Sequence, residues 1–173
     1  ELCTMLKKKY QLFSLLFVVL LIAIPANSYA QDAQKDDEYY NKIGMGYFNK
    51  GFHNDLPRND SEEASNHFER AIAAFKMAIA INKDCIQAHR NLARVYYVQK
   101  RYEEAAEQYR NVTALNPTDI DAYVVTALAY TKALQYDEAI EQLNIAKTLT
   151  DDKKIVLQLD EYINRIAEEK RLR

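Results

Sequence analysis

Residues that interrupt helices are scarce in this sequence. The chain of 173 residues contains three glycines, three prolines and no tryptophan. Because β-sheet proteins place glycine and proline at their many turns, this scarcity favours long helices over turn-rich sheet. A chain of this length is that of a single domain, and it can bury a sizeable core.

A strong charge of one sign and paired cysteines are also missing. The formal net charge is −2, and charges of both signs are interspersed apart from the basic residues 7–9. Without a larger basic block, nucleic-acid binding has no electrostatic support. Cys3 lies in a segment that we expect to be removed, so Cys85 is left alone and no internal disulfide is predicted. We expect Cys85 to be a small hydrophobe between helices.

Patterns that carry catalysis or metal binding do not occur. His53, His67 and His89 follow one another at spacings of 14 and 22, so no i, i+4 pair places two imidazole ligands on one helix face. The sequence has no glycine-rich phosphate loop and no nucleophile elbow. It therefore predicts a protein that is not an enzyme and that uses no metal or cofactor.

The N-terminus has the three parts of a secretory signal peptide. Residues 7–9 are lysines, residues 12–24 are mostly apolar, and small residues precede an expected cut after Ala30. The apolar run is short for a membrane-spanning helix, which needs about 20 residues. We therefore predict that residues 1–30 are a signal peptide with its start at Met5. An uncleaved N-terminal anchor is the alternative.

A fixed spacing relates two parts of the chain. The segment 86–119 contains two short helical patterns, each with an apolar stripe at intervals of three and four. A forward shift of 34, the repeat period, brings similar residues into register. The first set is Leu92, Ala93, Tyr96, Tyr102, Ala105, Tyr109, Val112 and Leu115, and the second is Thr126, Ala127, Tyr130, Tyr136, Ala139, Leu143, Ala146 and Leu149. Small residues are expected to recur where two helices approach closely.

The preceding unit matches this register less regularly. Its second helix matches at the repeat period but its first helix only at a shift of 49, and the difference predicts an insertion near residues 51–61. Gly51 and Pro57 are expected to end the first helix and turn the chain. Asp60 and Ser61, with two glutamates after them, predict an N-cap. The second helix should therefore begin early, near Ser61.

Residues 154–173 form the last predicted element. Val156, Leu159, Ile163 and Ile166 recur at spacings of three and four and mark one apolar stripe, and the opposite face is charged. The terminal unit of a repeat array needs a cover with a polar outer face. We therefore expect this segment to be a capping helix.

The period of 34, with alanine or glycine and tyrosine in the first helix and alanine then an aromatic residue in the second, resembles the tetratricopeptide repeat family. The resemblance covers residues 37–153. It implies an all-α fold, a right-handed superhelical solenoid of three helix hairpins with a C-terminal capping helix. The predicted organisation is a linker at 31–36, repeats at about 37–85, 86–119 and 120–153, and the capping helix at 154–173.

The resemblance also implies that the first helix of each repeat lines a concave groove. The helix face left free by packing combines a basic centre with apolar flanks, and arginine and aromatic residues are types that dominate binding energy. We predict a groove for a protein or peptide partner, formed by Glu38, Asn41, Met45, Phe48, Gln87, Arg90, Asn91, Arg94, Tyr97, Asp121, Val124, Leu128 and Thr131. Alternatively, several of these side chains merely pack between helices.

Two further expectations concern this groove. Its apolar members should be exposed together as a surface larger than a monomer usually leaves bare, namely Met45, Phe48, Val124 and Leu128. Family members that hold acidic C-terminal tails use a clamp of lysine and asparagine side chains. The positions that match the clamp here are Asn41, Met45, Asn91, Asp121 and Val125. Only Asn91 fits, so the clamp is predicted to be absent.

The insertion is a second candidate contact site, because long loops are often functional. Its candidate residues are Phe52, His53, Leu56 and Arg58, although a tolerated exposed loop explains them equally well. The predicted function is an exported, non-catalytic scaffold or adaptor, expected in a bacterial periplasm and without a membrane span after signal cleavage. The alternative is a self-associating structural subunit of an envelope complex.

Overall fold

The computed structural model describes residues 36–58 and 60–173. The predicted signal peptide, its cleavage after Ala30 and most of the linker lie outside these residues. The regular structure of the described part is entirely helical, so the all-α prediction is confirmed. Its α-helices are α1 (Asp37–Asn49), α2 (Ser61–Ile81), α3 (Ile86–Val98), α4 (Tyr102–Leu115), α5 (Ile120–Lys132), α6 (Tyr136–Thr148) and α7 (Lys153–Arg171). None of these described helices has both the length and the apolar character that crossing a bilayer requires.

The helices pack in chain order as three hairpins, α1 with α2, α3 with α4 and α5 with α6, and α7 follows on α6. Short connections force consecutive helices to lie side by side. The carboxylates of Asp60, Asp119 and Asp152 accept backbone hydrogen bonds in the first turns of α2, α5 and α7. These bonds satisfy N–H groups that helix geometry leaves without partners, and they define where three of the helices begin.

Alanines at equivalent positions of the repeats lie where the helices cross. Ala93 and Ala127 are one repeat period apart, and both are at most 1% exposed. Ala105 and Ala139 are also one period apart and fully buried. A methyl group lets two backbones approach closely, so the expectation that small residues recur at the crossings is confirmed.

Large apolar side chains fill the space between the crossings as two clusters. The first cluster extends over α1 to α4 around Phe75 and Leu92 and reaches Ala129 of α5. The second lies between α5, α6 and α7, where Leu143 packs with Leu159 and Ile166. The capping helix thus contributes its predicted apolar stripe to the second cluster.

Gly44 marks a close approach of α1 to α2. A Cβ atom built on Gly44 would lie 2.5 Å from the Phe75 ring, which is itself fully buried. Gly46, one half-turn away, faces open space. The lack of a side chain at Gly44 therefore allows the Phe75 ring to lie against the α1 backbone.

The insertion does not form the loop that the sequence predicts. The chain continues from α1 into a π-helical segment, Lys50–Asp55, and then into a 3₁₀ turn, Leu56–Arg58. Gly51 does not end the helix but is buried, and a Cβ there would lie 2.9 Å from the Phe68 ring. The expectation that Gly51 ends the helix is therefore wrong, because packing against α2 holds this segment in a wider helical turn.

A carboxylate–imidazole contact fixes the insertion to α2. Asp55 is 8% exposed, and its carboxylate lies 2.7 Å from Nδ1 of His67. The His67 ring also stacks on Tyr47, with centroids 6.1 Å apart. The helix α2 begins at Ser61, as the sequence predicts, and its 21 residues make it the longest of the described helices.

Two hairpin turns hold a residue in the left-handed region. Lys100 has a φ of 61° in the α3–α4 turn, and Leu134 has a φ of 64° in the α5–α6 turn. The two positions are one repeat period apart, so the turn geometry recurs with the repeat. A side chain with a Cβ is strained in this region by roughly 1–2 kcal/mol relative to the right-handed one.

Polar links at several points fasten α7 to α6. Lys147 forms an ion pair with Asp160, and Lys170 forms one with Asp137. The Tyr136 hydroxyl donates a hydrogen bond of 3.2 Å to Glu169. These links and the apolar stripe together hold α7 against α6.

Candidate partner-binding groove

The structure divides the predicted groove residues by exposure. The exposed ones are Glu38, Gln87, Arg94, Asp121 and Leu128. The half-buried ones are Asn41, Met45, Arg90, Tyr97, Val124 and Thr131. Phe48 and Asn91 are buried at 4% and 8% exposure.

Phe48 and Asn91 are therefore not part of an open binding surface. The Phe48 ring packs with Phe68 at a centroid distance of 6.0 Å, and half-buried Met45 packs against the same cluster. The Asn91 amide donates a hydrogen bond of 2.9 Å to the Asn41 side chain and joins α3 to α1. We expected an exposed apolar surface shared by α1 and α5. This expectation is wrong at the α1 end, because the apolar side chains there pack between helices.

Arg90 is half-buried, and an ion pair with Asp119 fixes its side chain. Its guanidinium donates a hydrogen bond of 2.7 Å to Asp119, the N-cap of α5, while its buried Nε has no hydrogen-bond partner. Burial opposes ionisation of Asp119, but the hydrogen bonds from Arg90 and from the Ala122 N–H, with the Arg90 charge, outweigh it and lower the Asp119 pKa. Arg90 therefore links α3 of the second repeat to α5 of the third. Because Asp119 already compensates its charge, Arg90 offers little charge to a partner.

Arg94 is an exposed cation on the first helix of the central repeat. Its guanidinium lies 5.3 Å from the centroid of the Phe48 ring, a cation–π contact that joins α3 to α1. Burial raises the pKa of the nearby Tyr109 hydroxyl, and the positive charges of Arg94 and Arg90 offset part of that rise. Burial and the neighbouring Tyr102 likewise raise the pKa of Tyr97. Both phenols are therefore neutral at pH 7, and they leave the Arg94 charge uncompensated.

A cavity of about 440 Å³ opens between α5 and α7. Its walls are mostly apolar, and its volume lies in the range of ligand-binding pockets. The lining residues are Val124, Ala127, Leu128, Thr131, Leu143, Tyr162, Arg165, Ile166, Glu168, Glu169 and Leu172. Three predicted groove residues of α5 therefore come together here.

Exposure of large apolar side chains distinguishes this cavity. Leu128 is 47% exposed, Tyr162 is 45% exposed and Leu172 is 76% exposed. A second cavity, of about 580 Å³, lies beside the first and shares Val124 and Tyr162 with it. Predicted residue Asp121 lines this second cavity. The apolar part of the groove thus lies at the C-terminal end of the solenoid.

Sequence reasoning missed the contribution of α7 to the groove. We treated its charged face as a solvent-exposed cover, whereas Arg165 on that face lines the cavity together with Tyr162, which the sequence analysis did not single out. A second forward shift by the repeat period of 34 would have found them. This shift aligns Leu128 with Tyr162 and Thr131 with Arg165. The helix α7 therefore presents the same face to the groove as the first helix of a repeat.

The insertion contributes aromatic surface at the other end. Phe52 is 39% exposed and stacks on Phe48 with centroids 5.5 Å apart, and His53 meets Phe52 edge to face. Leu56 and Arg58 are exposed. The predicted contact role of the insertion remains a prediction.

The remaining titratable candidates have structural roles. His89 lies 2.9 Å from the Gln108 side chain and 3.0 Å from the Lys83 carbonyl, so it links α3 to its neighbours. Burial raises the pKa of the Cys85 thiol, which keeps it protonated and weakly nucleophilic. Across residues 36–58 and 60–173, no three His, Cys, Asp or Glu side chains converge on a position for a metal ion.

Solved structures with the same helical architecture share little sequence with this chain. The TPR2B domain of yeast Sti1, in its complex with pHsp70, superposes with a TM-score of 0.57 at 18% identity, over 77% of this chain and 97% of that one. The type III secretion translocator chaperone SycD of Yersinia enterocolitica gives a TM-score of 0.58 at 14% identity, over 83% and 93%. These similarities show the fold, a tetratricopeptide-like solenoid, and confirm the predicted fold class.

A third solved structure, the first TPR domain of Spaghetti (RPAP3) bound to the HSP90 peptide SRMEEVD, gives a TM-score of 0.52 at 15% identity, over 74% of this chain and 93% of that one. No curated protein sequence matches the chain. A tetratricopeptide repeat model matches residues 58–120 and, in a second register, residues 91–152. Because the matched residues make up more than half of the sequence, this chain belongs to the tetratricopeptide repeat family.

Proposed function

We propose that this protein is an exported, non-catalytic adaptor that holds a segment of a partner protein in its concave groove. The observation that carries the proposal is the apolar cavity between α5 and α7. Leu128, Tyr162 and Leu172 stay exposed around it. A monomer gains stability by burying such side chains, so a cluster left open at one end of a groove favours a binding role.

The relatives support a peptide-binding role for this architecture. The yeast Sti1 domain was solved in a complex with pHsp70, and the Spaghetti domain was solved with an HSP90 peptide. The SycD protein is a chaperone for secretion translocators. This chain differs from a tail-binding clamp at its matching positions, so we propose a different partner chemistry.

In-cell photo-crosslinking tests the adaptor role. A photoreactive amino acid replaces Leu128 inside the cavity, and Leu157 on α7 serves as the control because it is 61% exposed and lines neither cavity. We expect irradiation to join position 128, but not position 157, to a different protein. Adducts at neither position, or equally at both, would contradict the proposal.

Self-association is the competing function, in which a second copy fills the cavity. The same experiment separates the two, because crosslinking between copies doubles the mass of the chain and yields only its own peptides. Light scattering of the purified protein gives an independent mass. A dimer that dissociates on Leu128→Asp would replace the adaptor with a self-associating subunit.

Export is part of the proposal and has its own test. We propose a periplasmic location because residues 1–30 have the composition of a signal peptide. N-terminal sequencing of the protein recovered from the periplasm should give Gln31 as the first residue. Recovery in the cytoplasm with an intact N-terminus would contradict export.

A further inference from the structure

The first hairpin of the described array has an apolar outer surface. Its residues are Tyr39 of α1 with Ala73, Met77 and Ile81 of α2, and we call it the N-terminal end surface. Met77 is 48% exposed and Ile81 is 50% exposed. The Asn82 side chain donates a hydrogen bond of 2.8 Å to Asp37, which holds the start of α1 beside the end of α2. The two helices therefore present one continuous surface.

The repeat period shows which way the α2 part of this surface faces. A forward shift of 34 aligns Met77 with Asn111. It also aligns Ile81 with Leu115. Half-buried Asn111 and Leu115 line a cavity of about 520 Å³ together with Ile79 of the first hairpin, so these positions face the repeat before them. Met77 and Ile81 therefore hold the positions at which the next repeat packs against a neighbour.

The first helix of the hairpin gives the same direction. A forward shift of 49 aligns Gly46 with Val95, and a further shift of 34 leads to Ala129. Val95 and Ala129 are fully buried in the first apolar cluster, which Ala129 reaches from the following repeat. Gly46 instead faces open space. Tyr39, which is 42% exposed, likewise aligns with fully buried Ala88.

The two ends of the described array differ in polarity. The last element of a repeat array needs a polar outer face, and α7 has one. The repeat period aligns Ala127 with Glu161 and Tyr130 with Asn164, and both of these α7 residues are exposed. Leu157 is a single exposed apolar side chain beside them. The α2 part of the N-terminal end surface keeps apolar side chains instead, as a surface that packs against a neighbour does.

We infer that the N-terminal end surface joins two copies of this chain in a closed dimer with two-fold symmetry. When this surface meets the same surface of another copy, Met77 and Ile81 become buried in both copies. Head-to-tail stacking has no apolar counterpart, because the C-terminal end carries Glu161 and Asn164. The segment 31–36 precedes α1 and contains one apolar residue, so its composition offers no apolar cover.

The charges beside this surface are compatible with the pairing of two copies. Glu38 and Lys42 are exposed on α1, four residues apart and of opposite sign. A two-fold axis that sets two α1 helices antiparallel brings each lysine towards a glutamate of the other copy. Arg70 is exposed on α2, and its guanidinium lies 5.8 Å from the centroid of the Tyr47 ring in its own chain. Exposed charge pairs contribute little, so the apolar side chains carry the binding.

The N-terminal end surface is small, so the dimer is weak. The 13 residues of α1 span about 20 Å, and two packed helices are together about 20 Å wide. The flat area is therefore on the order of 400 Å² per copy, whereas a stable complex buries about 800 Å² per partner. We expect a reversible dimer with a Kd on the order of 10–100 µM.

Sedimentation velocity of the purified protein tests this inference. Concentrations from about 5 to about 500 µM bracket the expected Kd, and the mass should rise from monomer to dimer across them. Met77→Glu and Ile81→Glu each place a carboxylate in the contact and should raise the Kd at least about tenfold. Leu157→Glu is the matched control, because it makes the same kind of change at an exposed apolar residue of α7. It should leave the Kd unchanged, as should Leu128→Asp in the α5–α7 cavity.

Two further measurements make these variants decisive. Far-ultraviolet circular dichroism and the urea midpoint of each variant at about 5 µM, where the monomer prevails, should match those of wild type because the changed side chains are exposed. A photoreactive amino acid at position 77 supplies a test without a destabilising charge. Irradiation at about 200 µM, above the expected Kd, should yield a species of twice the chain mass whose joined peptides come from α1 and α2. The same amino acid at position 157 should yield none.

Each other outcome overturns the inference. A monomer at every concentration would do so. A dimer that Leu128→Asp dissociates, and that Met77→Glu and Ile81→Glu leave intact, would place the contact in the cavity and favour the competing self-associating function. Adducts between position 77 and residues 1–36 of the same chain would show that the chain covers this surface itself. The inference does not rest on the proposed function, since crosslinking at position 128 tests the cavity separately.

Discussion

A glycine pair on α1 allows the close packing of α1 on α2 to be measured. Gly44 and Gly46 are in the same helix, two residues apart, and only Gly44 faces the Phe75 ring. Substituting either by alanine improves helix propensity by about 1 kcal/mol. The difference in unfolding free energy between the two variants therefore cancels propensity and isolates the packing term.

The packing term follows from distances at Gly44. Its added Cβ would meet three atoms of the Phe75 ring at 2.5, 2.7 and 2.8 Å. Ordinary carbon–carbon contacts begin near about 3.5 Å, and Phe75 is fully buried, so the ring has no free volume to enter. Overpacking of this kind costs about 1–3 kcal/mol. We expect Gly46→Ala to be about 1 kcal/mol more stable than wild type, and Gly44→Ala to lie about 1–3 kcal/mol below Gly46→Ala.

Urea titration followed by far-ultraviolet circular dichroism measures both variants and wild type. Gly46→Ala should have the highest urea midpoint. The midpoint of Gly44→Ala should be equal to or lower than that of wild type. If Gly44→Ala gained as much stability as Gly46→Ala, the Phe75 ring would not lie against Gly44 and the packing of α1 on α2 would be wrong.

Three further predictions concern a turn, the half-buried acid Asp119 and the thiol of Cys85. Leu134→Gly should raise the urea midpoint, because glycine removes left-handed strain of roughly 1–2 kcal/mol at a smaller entropic cost; a lower midpoint would contradict the turn geometry. The folded-state pKa of Asp119 is below its ordinary value of 3.8, so its charge stabilises the fold above about pH 4 and this stabilisation is lost as the pH falls through the folded pKa. Asp119→Asn keeps a capping side chain, so it should be less stable than wild type at pH 7 and approach wild type near pH 3; a gap that does not change with pH would refute the charge pair. Cys85 should react more slowly with iodoacetamide at pH 8 in the folded protein than in urea, as quantified by mass spectrometry of its peptide, and equal rates would contradict its burial.

The helices could be predicted from the sequence because their signals are local. A stripe at intervals of three and four, capping aspartates and the turn between paired helices each act within one or two turns of helix. The small residues at crossings, such as Ala105 and Ala139, also follow from the repeat alone. These signals predicted the start of α2 at Ser61 without knowledge of its neighbours.

The groove was harder to predict because exposure depends on how helices meet. Phe48 matches an open groove position, yet the neighbouring α2 brings Phe68 against it and buries it. The π-helical segment after α1 also has no local signature, since Gly51 favours a turn until the Phe68 ring packs over it. Arg165 was assigned to a cover, and Tyr162 was given no role, because the capping helix was assumed to face solvent. Each error arose where tertiary contacts overrode a local pattern.

Among the described helices, α7 packs mainly on a single neighbour, α6. It packs on α6 through Leu159 and Ile166, and exposed ion pairs contribute little to local stability. A helix that packs mainly on one neighbour opens locally at lower free energy than helices packed on both sides, so its amide protons exchange faster. A ligand that bridges α5 and α7 adds a second packing partner to α7. The rate of amide hydrogen exchange along α7 therefore reports whether the cavity between α5 and α7 is occupied. Exchange should slow when a ligand fills the cavity and stay fast when the cavity is empty.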